Sequence, residues 1–94
     1  MYVVSLSYIV PLEEVEPHVP AHMAWLEQSY EAGIFLASGR KVPRTGGVIL
    51  AQGERAALER CLREDPFAVH NLAAYEITEF VASKTVPGLD ALKE

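Results

Sequence analysis

Proline and glycine cut this chain into segments too short for anything but a small mixed fold. Pro11, Gly33, Pro43, Gly46–Gly47, Gly53, Pro66 and Pro87–Gly88 separate its apolar and amphipathic runs. At such points a missing N–H or an easily adopted positive φ ends one element and starts the next. Tyr2–Val10 is dense in β-branched and aromatic residues, with Ser5 and Ser7 alternating, and reads as a strand. Pro11 stops it and suits the first position of a helix, with Glu13 and Glu14 in the first turn. A proline inside a helix costs about 3 kcal/mol. Pro17 and Pro20 therefore predict a short piece over Leu12–Glu16, a kink, and a main helix from His18 or Pro20 to Ala32, closed by Gly33.

The second strand is expected over Ile34–Val42, with Ser38–Gly39 as a weak or bulged point. A turn over Pro43–Gly47 and a third strand over Val48–Ala51 complete a hairpin. Gly53–Glu54 opens a second helix whose inward row is Leu58, Cys61 and Leu62, with Arg55, Glu59, Arg60 and Arg63 facing water. Asp65-Pro66-Phe67 ends that helix, because a residue before proline avoids the helical region. A turn or short helix follows over Pro66–Leu72. Tyr75, Ile77, Glu79 and Val81 alternate through a fourth strand to about Ser83, and Pro87–Gly88 sets off an amphipathic piece, Leu89–Leu92, in a tail over 83–94.

The order is β-α-β-β-α-β. It specifies one domain over residues 1–94 with an α+β ferredoxin-like fold, a four-stranded antiparallel sheet with both helices on one face. The other face is left open. Half of the residues are hydrophobic, and a chain this small buries only about 60–70% of its unfolded surface. Pairing of two sheets face to face would cover the excess, so a homodimer is expected. A net charge of −5, with scattered Lys and Arg, excludes a phosphate-binding stripe and hence nucleic acid. The lone Cys61 rules out an internal disulfide and a cysteine zinc site, and reads as a small buried residue. The apolar N-terminal stretch lacks a basic start and falls short of the roughly 20 residues that cross a bilayer, so no membrane partner and a cytoplasmic location are expected.

Val15, Val19, His22, Leu26, Tyr30 and Gly33 follow each other at helical spacing along one inward row. The imidazole of His22 in that row is either a satisfied core histidine or a reactive group in a pocket. His18, four residues earlier, and His70 make a metal site the competing reading, although Pro20 disturbs the aim of the pair. Three further candidates surround His22. At Ser38–Gly39 a ligand can approach the backbone closely, unless the pair is only a bulge. Arg44 in the hairpin turn either holds an anionic or phenolate substrate or is simply solvated. Tyr8 either donates a hydrogen bond into the pocket or packs as a core or interface aromatic.

Pro20-Ala21-His22 with Trp25-Leu26, then Glu31-Ala32-Gly33, Ala37-Ser38-Gly39, Gly46-Gly47-Val48 and Asp65-Pro66-Phe67, resemble in order and spacing the YciI-like (YCII-related) proteins, from Val4 to about Val81. The resemblance implies a ferredoxin-like dimer of the dimeric α+β barrel kind. It also implies an active site built from the first-helix histidine and the aspartate of the Asp-Pro-Phe segment, here His22 and Asp65, without metal or cofactor. A few proteins of this kind are lyases or dehalogenating enzymes acting on small hydroxylated aromatic rings, while most have no assigned reaction. The chemistry of the two side chains agrees: a carboxylate beside an imidazole fixes its tautomer and stabilises the imidazolium form. Pro66 restricts the backbone of Asp65, whose bland alternative is an N-cap for the turn that follows. The two roles are compatible, since one carboxylate oxygen can cap while the other meets His22. Two functions follow: a general acid–base enzyme of lyase, isomerase or hydrolase type acting on a small cyclic or aromatic metabolite, or a non-catalytic module that binds a small ligand or a protein in the same cleft.

Overall fold

The computed structural model describes residues 1–94. Strand β1 (Tyr2–Tyr8) leads through α1 (Leu12–Val15) and a 3-10 turn (Glu16–His18) into α2 (Val19–Glu31). The hairpin β2 (Phe35–Arg40) and β3 (Gly46–Ala51) precedes α3 (Arg55–Arg63), α4 (Pro66–Val69) and β4 (Ala73–Glu79), and a 3-10 turn over Asp90–Leu92 closes the chain. The four strands form one antiparallel sheet in the order β2-β3-β1-β4, with the helices on one face. This is the expected ferredoxin-like α+β fold. The prolines act as anticipated: Pro17 sits in the 3-10 turn and Pro20 in the first turn of α2, where a missing N–H costs nothing. Gly33 closes α2 at φ 77°.

Period-2 alternation sets the faces. Tyr2, Val4 and Leu6 of β1 pair across to Ala51, Ile49 and Gly47 of β3 and face the helices. With Trp25, Leu26, Phe35, Leu58 and Leu62 they form the main core. Val15, Phe67, Leu72 and Ala73 form a second, smaller core at the other end, and Tyr75 packs against both. The outer sheet face, where a second copy was expected, carries Val3, Val48 and Leu50 among Ser5, Ser7 and Glu76.

Several boundaries differ from expectation. Strand β1 ends at Tyr8, β2 at Arg40, and β4 at Glu79 rather than near Ser83. Gly46 and Gly47 belong to β3 rather than to the turn. Close approach explains the glycine at position 46, since a Cβ there would lie 1.8 Å from the Leu6 carbonyl oxygen. Backbone on the neighbouring strand cannot move aside without parting the ladder. Gly46→Ala is therefore expected to cost about 2–3 kcal/mol, read as a lower urea midpoint at unchanged slope.

The bulge is also displaced. Phe35 pairs with Ala51 and Ala37 with Leu50, so the extra residue is Leu36, while Ser38 and Gly39 lie in regular register opposite Ile49 and Val48. The physical reason is phase. Phe35 must point into the core, and one inserted residue turns Ser38 and Arg40 to that same helix-covered face.

The inward face of α2 is rotated from the expected row as well. Trp25, Leu26 and Ser29 are its buried residues, whereas Tyr30 and Gly33 are exposed. Trp25 donates through Nε1 to the Cys61 carbonyl at 3.0 Å, and Ser29 Oγ lies 3.2 Å from Cys61 Sγ. These bonds tie α2 to α3. Burial pushes the half-buried Cys61 thiol up, which removes reactive thiolate.

Candidate active site

The site forms where the two cores meet. Pro66 begins α4, and Asp65 before it is held extended (φ −58°, ψ 127°) as the helix N-cap. The carboxylate of Asp65 is fully buried, and a buried carboxylate is costly unless every oxygen has a donor. Three donors converge on it. Oδ1 accepts from the Phe67 N–H at 3.0 Å and from His22 Nδ1 at 2.8 Å, and Oδ2 accepts from the Tyr75 hydroxyl at 2.5 Å. Both roles are met, and capping and contact with His22 fall on the same oxygen rather than on separate ones. The reason is Tyr75, which takes the other oxygen. Burial first, then the hydrogen bond to Asp65, push the Tyr75 phenol far above its ordinary range, so it remains a donor.

This arrangement sets the state of His22. Asp65, already accepting from an amide and a phenol, has only acceptor capacity to offer, so Nδ1 carries a proton and donates it. The ring lies parallel to Phe67, at a centroid separation of 4.0 Å and an interplanar angle of 4°, with Trp25 beside it at 5.3 Å. Packing and hydrogen bonding therefore fix both the tilt of the imidazole and its tautomer. Nε2 has no protein partner and is not sealed from solvent. Only 14% of the side chain is exposed.

His22 forms part of the wall of a cavity of about 380 Å³ between α2 and the β2–β3 hairpin. The structure brings Tyr8, Ser38, Gly39 and Arg44 to this same cavity, while Asp65 stands behind His22 and out of it. Val19, Met23, Leu26, Ile49 and Phe67 supply apolar wall. Ser38 Oγ is 2.7 Å from the hydroxyl of the exposed Tyr30, which ties α2 to β2. Tyr8 packs edge-on against Phe67 at 5.9 Å and makes no hydrogen bond through its hydroxyl. Arg44 approaches Glu16 Oε1 only to 4.0 Å.

Two residues of this region were not foreseen. Tyr75 read as one of the alternating positions of β4, and Arg40 only as one of the scattered basic residues, within the second strand. The hydroxyl of Tyr75 was the signal for the first, since a buried tyrosine normally finds a partner for its O–H. No signal marked Arg40, because its direction depends on the bulge at Leu36. The competing metal arrangement is not assembled. His18 packs on His70 with centroids 4.2 Å apart, His22 turns to Asp65, and no three His, Cys, Asp or Glu side chains are grouped to hold an ion. No helix is long and apolar enough to cross a membrane.

Comparison with known proteins agrees with the fold. A 5-chloro-2-hydroxyhydroquinone dehydrochlorinase (TftG) from Burkholderia phenoliruptrix AC1100, solved in complex with 2,5-dihydroxybenzoquinone, superposes with a TM-score of 0.70. The two sequences are 17% identical over 85% of this chain and 93% of the other, a likeness that speaks for architecture. No curated protein matches this sequence. The model of the YCII-related domain matches residues 1–81, nearly the whole of the fold described above, and the chain accordingly belongs to the YCII-related domain family.

Proposed function

We propose that this protein is a small-molecule enzyme in which His22 moves a proton on a hydroxylated ring and Asp65 holds the imidazole in the working tautomer. One observation carries the reading. The fully buried carboxylate of Asp65 fixes Nδ1–H and leaves Nε2, the basic nitrogen, in the wall of an apolar cavity large enough for a single ring. A structural histidine needs no such cavity in front of it. Elimination is the reaction that uses these parts most economically. Nε2 takes a proton from the substrate, the released electron pair closes a new π bond, and a leaving group departs from the substrate with its bonding pair. The imidazolium then returns the proton to the leaving group or to water. The fold-level neighbour, a dehydrochlorinase of a chlorinated hydroxyhydroquinone, supports this class of reaction and of substrate. The same reading includes a homodimer closed across the outer sheet face at Val3, Val48 and Leu50.

Asp65→Asn tests the role of the charge. The asparagine carbonyl can keep both Oδ1 bonds, and its amide can donate to the Tyr75 oxygen, so geometry and tautomer survive while the negative charge goes. With halogenated hydroquinones as substrates, turnover is expected to fall about 10–100-fold. The imidazole ¹⁵N spectrum should still show Nδ1 protonated. Full turnover in the asparagine variant would remove the Asp65 charge from the mechanism, whereas ligand binding with no turnover in the parent protein would leave binding alone as the function of the cleft.

A further inference from the structure

The electrostatics of the cavity point to one kind of ligand. The chain carries 13 acidic against 8 basic residues, yet no carboxylate lines this cavity. Its charged lining is Arg40 and Arg44, both on the hairpin side, across from the α2 wall that carries His22. Arg40 has no carboxylate within 4.0 Å, and the only one near Arg44 lies at that limit. By contrast Arg55, on the outside of α3, is bonded to both Glu59 and Glu79. Both are exposed at the mouth of the cavity, and a guanidinium there with no carboxylate bonded to it is free to pair with an oxyanion. Arg40 faces inward because of the bulge at Leu36; regular alternation from Phe35 would turn it to the outer face.

Shape adds a second restriction. Gly47 presents no side chain to the cavity, and a Cβ there would crowd the Gly39 carbonyl at 3.1 Å, so this part of the wall stays flat backbone. Phe67 and His22, stacked on each other, contribute ring edges and faces at the other side. A slot of this form suits a flat ring.

We infer that the substrate is a planar ring that enters as an oxyanion (a phenolate, an enolate of a hydroxyquinone or a ring carboxylate) and that Arg40 with Arg44 selects it by that charge. The inference rests on the acid–base reading above and narrows it to a substrate class. It gives the two sides of the cavity separate tasks: the hairpin holds the anion, and α2 presents the base.

Paired probes that differ mainly in charge test it by calorimetry: 2,5-dihydroxybenzoquinone, ionised at neutral pH, against 2,5-dimethoxybenzoquinone, and benzoate against benzamide. In each pair that binds, the anion should bind at least about 10-fold tighter than its neutral partner. Arg40→Gln and Arg44→Gln should each weaken the anion roughly 10-fold, with little change for the neutral probe. Arg55→Gln, which removes the same charge from the outer surface, should change neither, and the preference should shrink as salt rises. The inference fails if no anion is preferred over its neutral partner, or if Arg40→Gln and Arg44→Gln behave like Arg55→Gln. The His22→Asn variant separates this from the acid–base reading. Anion preference retained in a protein whose turnover does not depend on His22 overturns the chemistry alone. Turnover that depends on His22 without any anion preference overturns the selection alone.

Discussion

His22→Asn is expected to lower turnover by about two to four orders of magnitude while the protein stays folded and still binds its ligand. The choice of asparagine follows from the geometry. In histidine Nδ1 is bonded to Cγ, and so is the amide nitrogen of asparagine, which can therefore take over the donor bond to Asp65 Oδ1. What disappears is Nε2. The variant also loses the stack on Phe67, worth about 0.5–1.5 kcal/mol, and a few tenths of a kcal/mol of helix propensity in α2. A fold with several kcal/mol of stability tolerates that. Turnover and ligand affinity measured on the same preparation give the answer. A variant within tenfold of the parent in turnover, at unchanged affinity, would falsify His22 as the proton carrier.

Asp65→Ala is expected to cost about 3–5 kcal/mol, as much as truncating a large core side chain. Three donors (the Phe67 N–H, the Tyr75 hydroxyl and His22 Nδ1) converge on a carboxylate that water does not reach, and all three lose their acceptor together. The N-cap of α4 goes with them. For a domain of this size each kcal/mol lowers the melting temperature by about 4–8 °C, so the fall should be about 12–40 °C in a calorimetric scan. The accompanying double variant isolates the cause. In Asp65→Ala the Tyr75 hydroxyl is left buried and alone, and adding Tyr75→Phe removes the stranded group. Asp65→Ala/Tyr75→Phe should recover about 1 kcal/mol over the single variant. A loss under 1 kcal/mol for Asp65→Ala, or no recovery in the double variant, contradicts the shared-acceptor arrangement.

The order of elements was legible because its signals are local. β-branched alternation marked the strands, and Pro20, Gly33 and Pro66 act within a residue or two of their own positions. Asp65 as a cap is equally local, since the acceptor and its amide are two residues apart. What stayed hidden depends on phase or on distance along the chain. Alternation tells that a strand has two faces but not where an extra residue resets them, so Leu36 concealed the inward turn of Arg40. Tyr75 is ten residues beyond Asp65 and reaches it only because β4 returns past α4 to the edge of the sheet. Its effect was to move two hydrogen bonds onto a single oxygen, which no spacing in the sequence announces. The helical row through His22 was right about Val15 and Leu26 but ran too far, because Tyr30 turns outward, with its hydroxyl bound to Ser38 instead of buried, and Gly33 is exposed.

The bulge at Leu36 has a further consequence for how such a cavity changes over evolutionary time. Ser38, Arg40 and Arg44 sit on a hairpin that makes none of the three hydrogen bonds to Asp65. Substitutions there re-pattern the ligand-facing surface without disturbing the buried carboxylate or the imidazole it steadies. Gain or loss of one residue at position 36 would exchange the whole set of hairpin side chains presented to the cavity in a single step. Descendants of one ancestral scaffold can in this way diverge in what they admit while inheriting the same buried carboxylate and the imidazole bonded to it.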